Sequence, residues 1–180
     1  MVLVHLATGF EEIEALTVVD LLRRVDIDVA SVSVTGEKTV EGAHGIKVNA
    51  DYLFEEVDYD RCQMIVLPGG LPGAYNLRDH KGLCKNIVRF AAEGKGLAAI
   101  CAAPLVLGSL GLLGGKKATI YPGMEEELRG AEAMDFPVVR DVNIITSQGP
   151  ATAMKFAKTI VEYFKGKEAG EALAEDLLMI

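Results

Sequence analysis

The sequence predicts an α/β fold, in which a mostly parallel central sheet is covered by helices on both faces. Two observations predict it. Short apolar segments alternate with amphipathic segments of helical length along the 180 residues, and glycine or proline follows most of the apolar segments. No internal repeat and no shift in composition divides the chain, so we expect a single domain over residues 1–180.

The first half of the chain is predicted to contain three strands, one helix and a hairpin. An apolar strand over residues 2–7 precedes a helix over residues 11–24. The helix carries apolar residues at helical spacing, which we expect to face the core: Ile13, Leu16, Val19, Leu22 and Val25. A second strand is expected over residues 27–34 and a hairpin over residues 38–48. The third strand, over residues 64–67, is apolar throughout.

The second half continues the alternation with four helices and four strands. In chain order these are a helix over residues 81–93, a strand over 97–100, a helix after Cys101 that ends near Leu110, a strand over 118–121, a pair of strands over 138–141 and 142–146, a helix over 151–164 and a helix over 168–178. Parallel strands place their carboxyl ends at one edge of the sheet, where function collects. We therefore expect functional residues in the loops after the strands, at residues 8–14, 68–73, 101–104 and 121–122.

Composition argues against several classes of function. The formal net charge of −8 argues against nonspecific binding to nucleic acid and against a polybasic contact with membranes. The first apolar segment, residues 1–6, is too short for a signal peptide, and the longest apolar runs are too short to span a membrane. The cytoplasm is therefore the expected location.

Three cysteines, Cys62, Cys84 and Cys101, cannot all pair within one chain. None is spaced as C-x-x-C, and no histidine pair has the spacing of a zinc site. The glycine patterns of phosphate-binding and dinucleotide-binding loops are absent as well. We expect free thiols in a reducing compartment, no metal and no cofactor.

Cys101 lies where an apolar strand runs directly into a helix, within Gly96-Leu97-Ala98-Ala99-Ile100-Cys101-Ala102-Ala103-Pro104-Leu105. A thiol on such a turn lies near the unpaired N–H groups of a helix N-terminus, which favour the thiolate and lower the thiol pKa. The turn can also hold the side chain out for attack, as in nucleophile elbows. The alternative is a small core residue among alanines.

A glycine pair is a candidate partner for this thiol. Gly69 and Gly70 follow a buried strand, and glycine lets the backbone come close to a ligand with its N–H groups free to donate. Together with the N–H group of Ala102 they could form an oxyanion hole. The alternative is a plain turn between a strand and a helix.

Three glutamates begin the first helix. Glu11 and Glu12 suit the positive end of the helix dipole, which is a sufficient reason for carboxylates there. Glu14 lies between Ile13 and Ala15, towards the apolar side of the turn. If Glu14 points into a cleft near the cysteine, burial raises its pKa and lets it donate a hydrogen bond to sulfur.

Four motifs, in order and spacing, resemble the DJ-1/ThiJ/PfpI superfamily. They are Gly9-Phe10-Glu11-Glu12-Ile13-Glu14, Leu67-Pro68-Gly69-Gly70, Ala98-Ala99-Ile100-Cys101-Ala102-Ala103-Pro104 and Ser147-Gln148-Gly149-Pro150. The match covers nearly the whole chain, and Tyr121 together with a C-terminal helix from Glu168 is similar to the DJ-1-like, bacterial YajL-like branch. The resemblance implies a flavodoxin-like three-layer sandwich with a cysteine nucleophile elbow, usually assembled as a homodimer.

The resemblance also implies roles for the site residues. Cys101 matches the reactive nucleophile and Glu14 the protonated glutamate that hydrogen-bonds to it, while Gly70 and Ala102 match the backbone donors beside the sulfur. Members are described as acting on glyoxal and methylglyoxal, or on the adducts of these aldehydes with proteins and nucleotides. They are also described as sensing oxidants through cysteine sulfinate.

Three positions depart from the pattern of relatives. Ala102 follows the cysteine where PfpI-type peptidases carry a histidine base, which argues against peptidase and amidotransferase activity. Tyr121 replaces a histidine of eukaryotic members, and a tyrosine shuttles protons poorly at neutral pH because its pKa is about 10. His44 lies about where relatives have an arginine near the cleft, and is either a basic substitute there or a solvated histidine of the hairpin. Gly69 is a further candidate cleft residue.

The sequence therefore predicts a DJ-1-like cysteine enzyme of glyoxalase or deglycase type, with an oxidation-sensitive thiol at Cys101. Its expected partners are a small aldehyde or glycated adduct and a second copy of the chain, with no membrane and no direct nucleic-acid contact. The main alternative is a non-enzymatic sensor of oxidative stress, or a chaperone, in which Cys101 is the switch. The third hypothesis is a cysteine peptidase or an amidotransferase, and Ala102 argues against it.

Overall fold

The computed structural model describes residues 1–179 and is built around one large sheet. The strands are β1 (Val2–Leu6), β2 (Val29–Ser33), β3 (Thr39–Glu41), β4 (Lys47–Asn49), β5 (Tyr52–Leu53), β6 (Met64–Leu67), β7 (Gly96–Ile100), β8 (Lys117–Ala118), β9 (Glu132–Ala133), β10 (Val138–Asp141) and β11 (Ile144–Ser147). The helices are α1 (Glu12–Arg24), α2 (Gly73–Asp79), α3 (Lys81–Ala92), α4 (Pro104–Ser109), α5 (Ala153–Lys165) and α6 (Lys167–Asp176).

Seven strands form the central sheet, in the order β10-β11-β7-β6-β1-β2-β5. Neighbouring strands run parallel except β10 and β11, which form the predicted pair and run antiparallel. Strands β1, β2, β6 and β7 are buried along their whole length, which explains why β6 and β7 are continuous apolar runs; β2 also carries two buried serines, Ser31 and Ser33. The predicted α/β fold with a mostly parallel sheet is confirmed.

The two faces of the sheet bury separate hydrophobic cores. Because side chains alternate along a strand, Leu3 of β1 enters one core while Val2 and Val4 enter the other. The first core is completed by side chains of α2, α3 and α4, and the second by side chains of α1, α5 and α6. Helices therefore cover both faces, and the chain folds as a three-layer sandwich.

The predicted core face of α1 is wrong at its first turns. Ile13 and Leu16 are 56% and 40% exposed. The buried residues of the helix are Glu12, Glu14, Ala15, Val18, Leu21 and Leu22. The helix is rotated because two carboxylates take inward positions at its start, and hydrophobic periodicity gives no reason to place a glutamate inside.

The predicted strand over residues 118–121 is also wrong in extent. Only Lys117 and Ala118 are in a strand, β8, which pairs with β9 outside the main sheet. The residues after β8 bond elsewhere: Thr119 N–H donates to Thr146 Oγ1 at 2.9 Å, and Tyr121 N–H to the Cys101 carbonyl at 2.9 Å. These bonds place the Tyr121 backbone against the cysteine.

The sequence-based prediction also missed α2 and β5. The sequence of α2 follows Pro68-Gly69-Gly70-Leu71-Pro72, whose glycines and prolines are typical of a loop. Strand β5 has two residues, too few for a periodicity to identify. The hairpin of β3 and β4 is present as predicted, and Gly9 N–H donates to the Glu41 carbonyl at 2.9 Å, so the hairpin packs beside the loop between β1 and α1.

Candidate active site

Cys101 adopts a backbone conformation that is unfavourable for most residues. It follows β7 directly with a φ of 61°, in the left-handed region that costs energy for any side chain other than glycine. Two hydrogen bonds hold it there: its N–H donates to the Ser147 carbonyl at 2.9 Å, and its carbonyl accepts from Tyr121 N–H at 2.9 Å. The strained turn is the expected geometry of a nucleophile elbow.

Glu14 lies beside this elbow at the start of α1. It is 1% exposed, and its Oε2 accepts a hydrogen bond from Gly69 N–H at 2.7 Å. Its Oε1 is buried without a hydrogen-bond partner among the described residues. Burial raises the pKa of Glu14 to about 7, against the lowering effect of the Gly69 N–H group and of the bond with Cys101.

The pKa of the thiol is raised, contrary to the expectation from a helix N-terminus. Burial, and then the charge of Glu14 and the hydrogen bond to it, raise the pKa of Cys101 to about 12, while the N–H groups of Gly70 and Ala102 lower it. The helix-dipole effect does not dominate, because the sulfur is partly buried and faces a carboxyl group.

Cys101 and Glu14 therefore titrate as a pair. Below a pH of about 7 both groups hold a proton, and above it the pair shares one proton. The shared proton lies either on sulfur or on the Glu14 carboxyl. When it lies on Glu14, the sulfur is a thiolate that faces the N–H groups of Gly70 and Ala102 without an opposing charge.

Gly69 and Gly70 are required by close packing at this position. A Cβ atom on Gly69 would lie 2.6 Å from Cys101 Cβ and 2.8 Å from Glu14 Oε2. Gly70 has a φ of 83°, and a Cβ atom there would lie 2.5 Å from the Glu11 nitrogen. Only glycine lets the loop approach both Cys101 and Glu14 this closely while Gly69 N–H donates to the Glu14 carboxyl group.

Tyr121 contacts the elbow through its backbone. Its side chain is 49% exposed and lies against Gly149, where a Cβ atom would be 3.5 Å from the ring. Its hydroxyl makes no hydrogen bond within residues 1–179. Among the described residues, the tyrosine therefore lies next to Cys101 through its backbone, and its side chain makes no hydrogen bond to Cys101 or Glu14.

His44 contacts the glutamates rather than the cysteine. Its Nδ1 lies 2.9 Å from Glu12 Oε2 and 3.6 Å from Glu11 Oε2, and its backbone N–H donates to Glu12 Oε1 at 2.8 Å. Glu11 and Glu12 are buried, which their place in a first helical turn did not predict. One ligand atom from each residue lies within 4.8 Å of the others, but both Glu12 oxygens already accept from His44, so the group is an ion pair.

The other two cysteines lack such surroundings. Cys62 donates to the Asp58 carbonyl at 3.3 Å, and Cys84 donates to the Arg78 carbonyl at 3.0 Å. Burial raises the pKa of both thiols. Within residues 1–179, Cys101 is the cysteine with a positive φ and with a buried carboxyl group, that of Glu14, near enough to raise the pKa of its thiol.

The chain is similar to known proteins over nearly its whole length. The chain matches the model of the DJ-1/PfpI family over residues 1–163. Protein DJ-1 homolog B of Arabidopsis thaliana is 42% identical over 180 residues, which are 99% of this chain and 41% of that relative, so the chain spans about two fifths of its length. A deglycase of Pyrococcus abyssi is 31% identical over 166 residues, 91% of this chain and 99% of the relative.

A solved structure of oxidised DJ-1 from Toxoplasma gondii is similar over nearly the whole fold. It superposes with a TM-score of 0.94 at 38% identity, and the match covers 98% of this chain and 97% of that chain. Its agreement in fold extends beyond the region matched by the family model. On the family match, the relatives and the fold together, this chain belongs to the DJ-1/PfpI family.

Proposed function

We propose that this chain is a cysteine-dependent enzyme that acts on glyoxal and methylglyoxal, or on the adducts of these aldehydes with proteins or nucleotides. One observation carries the proposal: Cys101 is held at a φ of 61° beside a buried Glu14, and the N–H groups of Gly70 and Ala102 act to lower the pKa of its thiol. The Pyrococcus abyssi relative that is named a deglycase supports it.

In the first step the thiolate of Cys101 attacks the aldehyde carbon. A carbon–sulfur bond forms, and the electron pair of the C=O bond moves to oxygen. The N–H groups of Gly70 and Ala102 stabilise the developing oxyanion. Glu14 then gives its proton to that oxygen, which leaves a hemithioacetal on sulfur and a carboxylate on Glu14.

In the second step the hemithioacetal of methylglyoxal isomerises. The Glu14 carboxylate takes the carbon-bound hydrogen of the former aldehyde carbon as a proton, and the neighbouring carbonyl oxygen gains a proton, which gives an enediol on sulfur. A proton is then added at the neighbouring carbon while the hydroxyl on the former aldehyde carbon loses its proton, which gives a 2-hydroxyacyl thioester. Water hydrolyses the thioester to lactate and returns the proton and the thiol. The net reaction is addition of one water molecule, so no external oxidant is needed.

Glu14 is the side chain beside Cys101 that suits proton transfer at neutral pH. General acid–base catalysis is most effective when the pKa of the catalytic group lies near the working pH, and burial raises the pKa of Glu14 to about 7. Tyr121 has no hydrogen bond to either reacting side chain among the described residues. We therefore assign the proton transfers to Glu14.

A non-enzymatic oxidant sensor is the second candidate. Cys101 is a free, partly exposed thiol, and the buried Glu14 is placed to donate a hydrogen bond to an oxidised sulfur. This role predicts selective sulfinate at Cys101 after mild peroxide treatment with no turnover of aldehydes. Mass spectrometry of the three cysteine peptides separates the two roles when it is combined with an assay of lactate formation.

A homodimer in the cytoplasm is part of the proposal. The exposed side chains of Ile13 and Leu16 on α1, together with Ile46 in the neighbouring hairpin, offer an apolar surface that a second copy could cover. Free cysteines support a reducing compartment. No helix within residues 1–179 combines the length and apolar character needed to cross a membrane.

The test is turnover of methylglyoxal with the product measured. Purified protein is incubated with methylglyoxal and separately with methylglyoxal-modified arginine, and lactate is followed against time. We expect lactate from at least one of these with the wild type and only the background rate with Cys101→Ala. Equal lactate formation by the two proteins would remove the basis of the proposal.

A further inference from the structure

We propose that Glu12 and His44 form a latch that positions Gly70 against Cys101. The latch joins three segments: the hairpin loop (residues 42–46), the entry loop between β1 and α1 (residues 7–11) and the oxyanion loop (residues 68–73). Glu12 and His44 are positioning residues, which act on the reaction through Gly70. The inference rests on the proposed function of the Cys101 site.

The first link joins the hairpin loop to α1. Both carboxylate oxygens of Glu12 accept from one residue, since Oε1 lies 2.8 Å from the backbone nitrogen of His44 and Oε2 lies 2.9 Å from its Nδ1. A side chain at Gly42 would overlap the Glu12 carboxylate, so the loop is packed directly on it. The side chain of Glu12 is 4% exposed, so the hairpin loop replaces the water that a carboxylate normally binds.

The second link joins the hairpin to the entry loop. Ala43 N–H donates to the Phe10 carbonyl at 2.8 Å, and Gly9 N–H donates to the Glu41 carbonyl at 2.9 Å. These bonds continue the contact from Glu12 and His44 towards the amino-terminal side of both segments. The position of the entry-loop backbone therefore depends on where the hairpin lies.

The third link joins the entry loop to the oxyanion loop. Glu11 N–H donates to the Gly69 carbonyl at 2.9 Å, and Gly73 N–H donates to the Gly9 carbonyl at 3.2 Å. Gly70 packs so closely on this backbone that a Cβ atom would lie 2.5 Å from the Gly9 oxygen. A displaced entry loop would therefore displace the Gly70 N–H group, which lowers the pKa of Cys101.

The ion pair makes the latch sensitive to pH. The groups that face the imidazole of His44 are Glu11 and Glu12 of the α1 start, while Glu41 and Lys47 of its own hairpin pair with each other at 3.7 Å. The hydrogen bond that His44 donates to Glu12, with the charges of Glu11 and Glu12, raises the pKa of His44. Although burial opposes it, hydrogen bonding by His44 lowers the pKa of Glu12.

The sign of the pH effect follows from these shifts. Glu12 is ionised at neutral pH, and His44 carries its proton below its raised pKa. The charged form of the latch is thus complete in mildly acidic solution and is lost as the pH rises through the pKa of His44. An arginine at this position would keep its charge throughout.

The test compares Glu12→Gln, His44→Gln and His44→Arg with the wild type, and uses Lys47→Gln on the same hairpin as the matched control. His44 is 67% exposed in its side chain, so its variants are expected to fold, which thermal unfolding checks. Two rates are measured at about pH 6 and about pH 9. One is the methylglyoxal turnover, as kcat and KM, and the other is alkylation of Cys101 by iodoacetamide.

We expect both glutamine variants to lower kcat and the alkylation rate by about tenfold at the lower pH, with KM within about twofold of the wild type, since one misplaced oxyanion donor costs this much or more. His44→Arg should match the wild type at about pH 6 and exceed it at about pH 9. Dividing the rate of the wild type by the rate of His44→Arg at each pH removes the effect of the titration of Cys101 and Glu14, which both proteins share. Lys47→Gln should match the wild type throughout.

Two results would overturn the latch. The first is an alkylation rate of Cys101 in His44→Gln that lies within about twofold of the wild-type rate at about pH 6. The second is a ratio of the wild-type rate to the His44→Arg rate that stays constant across the pH range. If the wild type forms no lactate, the alkylation rates of Cys101 alone test the latch. In that case the proposed function fails, and the latch is still judged by the reactivity of Cys101.

Discussion

Cys101 and Cys62 lie at opposite ends of two neighbouring strands. Cys101 follows the carboxyl end of β7, whereas Cys62 precedes the amino end of β6, and burial raises the pKa of both thiols. Cys62 donates a single hydrogen bond to the Asp58 carbonyl, a group that binds only the neutral thiol. Cys101 faces two backbone N–H donors and a carboxyl group that can exchange a proton with it.

The comparison shows that a perturbed pKa does not by itself identify a reactive thiol. Desolvation acts on both cysteines, and alone it makes a thiol inert. The difference lies in what surrounds the charged form. At the carboxyl edge of the sheet, the N–H groups of Gly70 and Ala102 lower the pKa of the thiol, and Glu14, whose pKa burial raises to about 7, is the group that we propose as proton donor.

Removing each thiol in turn gives the largest expected contrast. Cys101→Ala should lower methylglyoxal turnover by at least about 10³-fold, because the nucleophile of the covalent step is lost. Cys62→Ala should keep turnover within about twofold and lower the free energy of unfolding by about 1 kcal/mol, the typical cost of a small buried truncation. Lactate formation per folded protein and urea unfolding measure the two effects. If Cys62→Ala lost more methylglyoxal turnover than Cys101→Ala, Cys101 would not be the nucleophile.

Replacing the carboxyl group tests the shared proton. Glu14→Gln keeps the shape but cannot titrate, so turnover near pH 7 should fall by about 10²-fold, within the range of general acid–base effects. The inflection of Cys101 alkylation near the pKa of Glu14, at about 7, should disappear. The pH–rate profiles of both proteins provide the measurement. An unchanged profile in the variant would contradict the contact between Glu14 and Cys101.

Filling the space between the two groups should have a smaller effect. The Cβ atom of Gly69→Ala would lie 2.6 Å from Cys101 Cβ and 2.8 Å from Glu14 Oε2, so the loop must shift. We expect Cys101 alkylation to slow by roughly tenfold, because a donor and the carboxyl group both move. Gly114→Ala is the matched control, since its Cβ atom would meet nothing within 4 Å. Equal alkylation rates in the two variants would show that close packing at Gly69 does not matter.

The smallest effect is expected at Tyr121. Tyr121→Phe keeps the ring against Gly149 and removes a hydroxyl that has no hydrogen bond among the described residues. Turnover should therefore stay within about twofold of the wild type. A much larger loss in kcat would show that the hydroxyl takes part in proton transfer, and that Glu14 does not carry the protons alone.

The fold could be predicted because its signals are local. The central strands are short apolar runs closed by glycine, proline or the elbow, and the helices between them are amphipathic. The face of α1 was only partly predictable, because the burial of Glu12 by a partner distant in sequence was not expected, whereas Glu14 was expected on the apolar side of the turn. His44 covers the first of these residues, and Gly69 bonds to the second.

The site was only partly predictable for the same reason. Its residues could be chosen from the motifs around Cys101 and Gly69 and from Glu14. The direction in which the thiol pKa is shifted could not be predicted, because burial and a carboxyl group distant in sequence raise the pKa more than the N–H donors lower it. The contact of His44 with Glu12 joins a hairpin to a helix, and no spacing in the sequence indicates it.

The most direct test is alkylation of all three cysteines in one sample. The wild type is treated with iodoacetamide across a range of pH, and peptide mass spectrometry gives a rate for Cys101, Cys62 and Cys84. We predict that Cys101 reacts fastest at neutral pH, with an inflection near the Glu14 pKa of about 7, while the other two react only at higher pH. Equal rates at the three cysteines, with no inflection near neutrality, would contradict a nucleophile poised by Glu14.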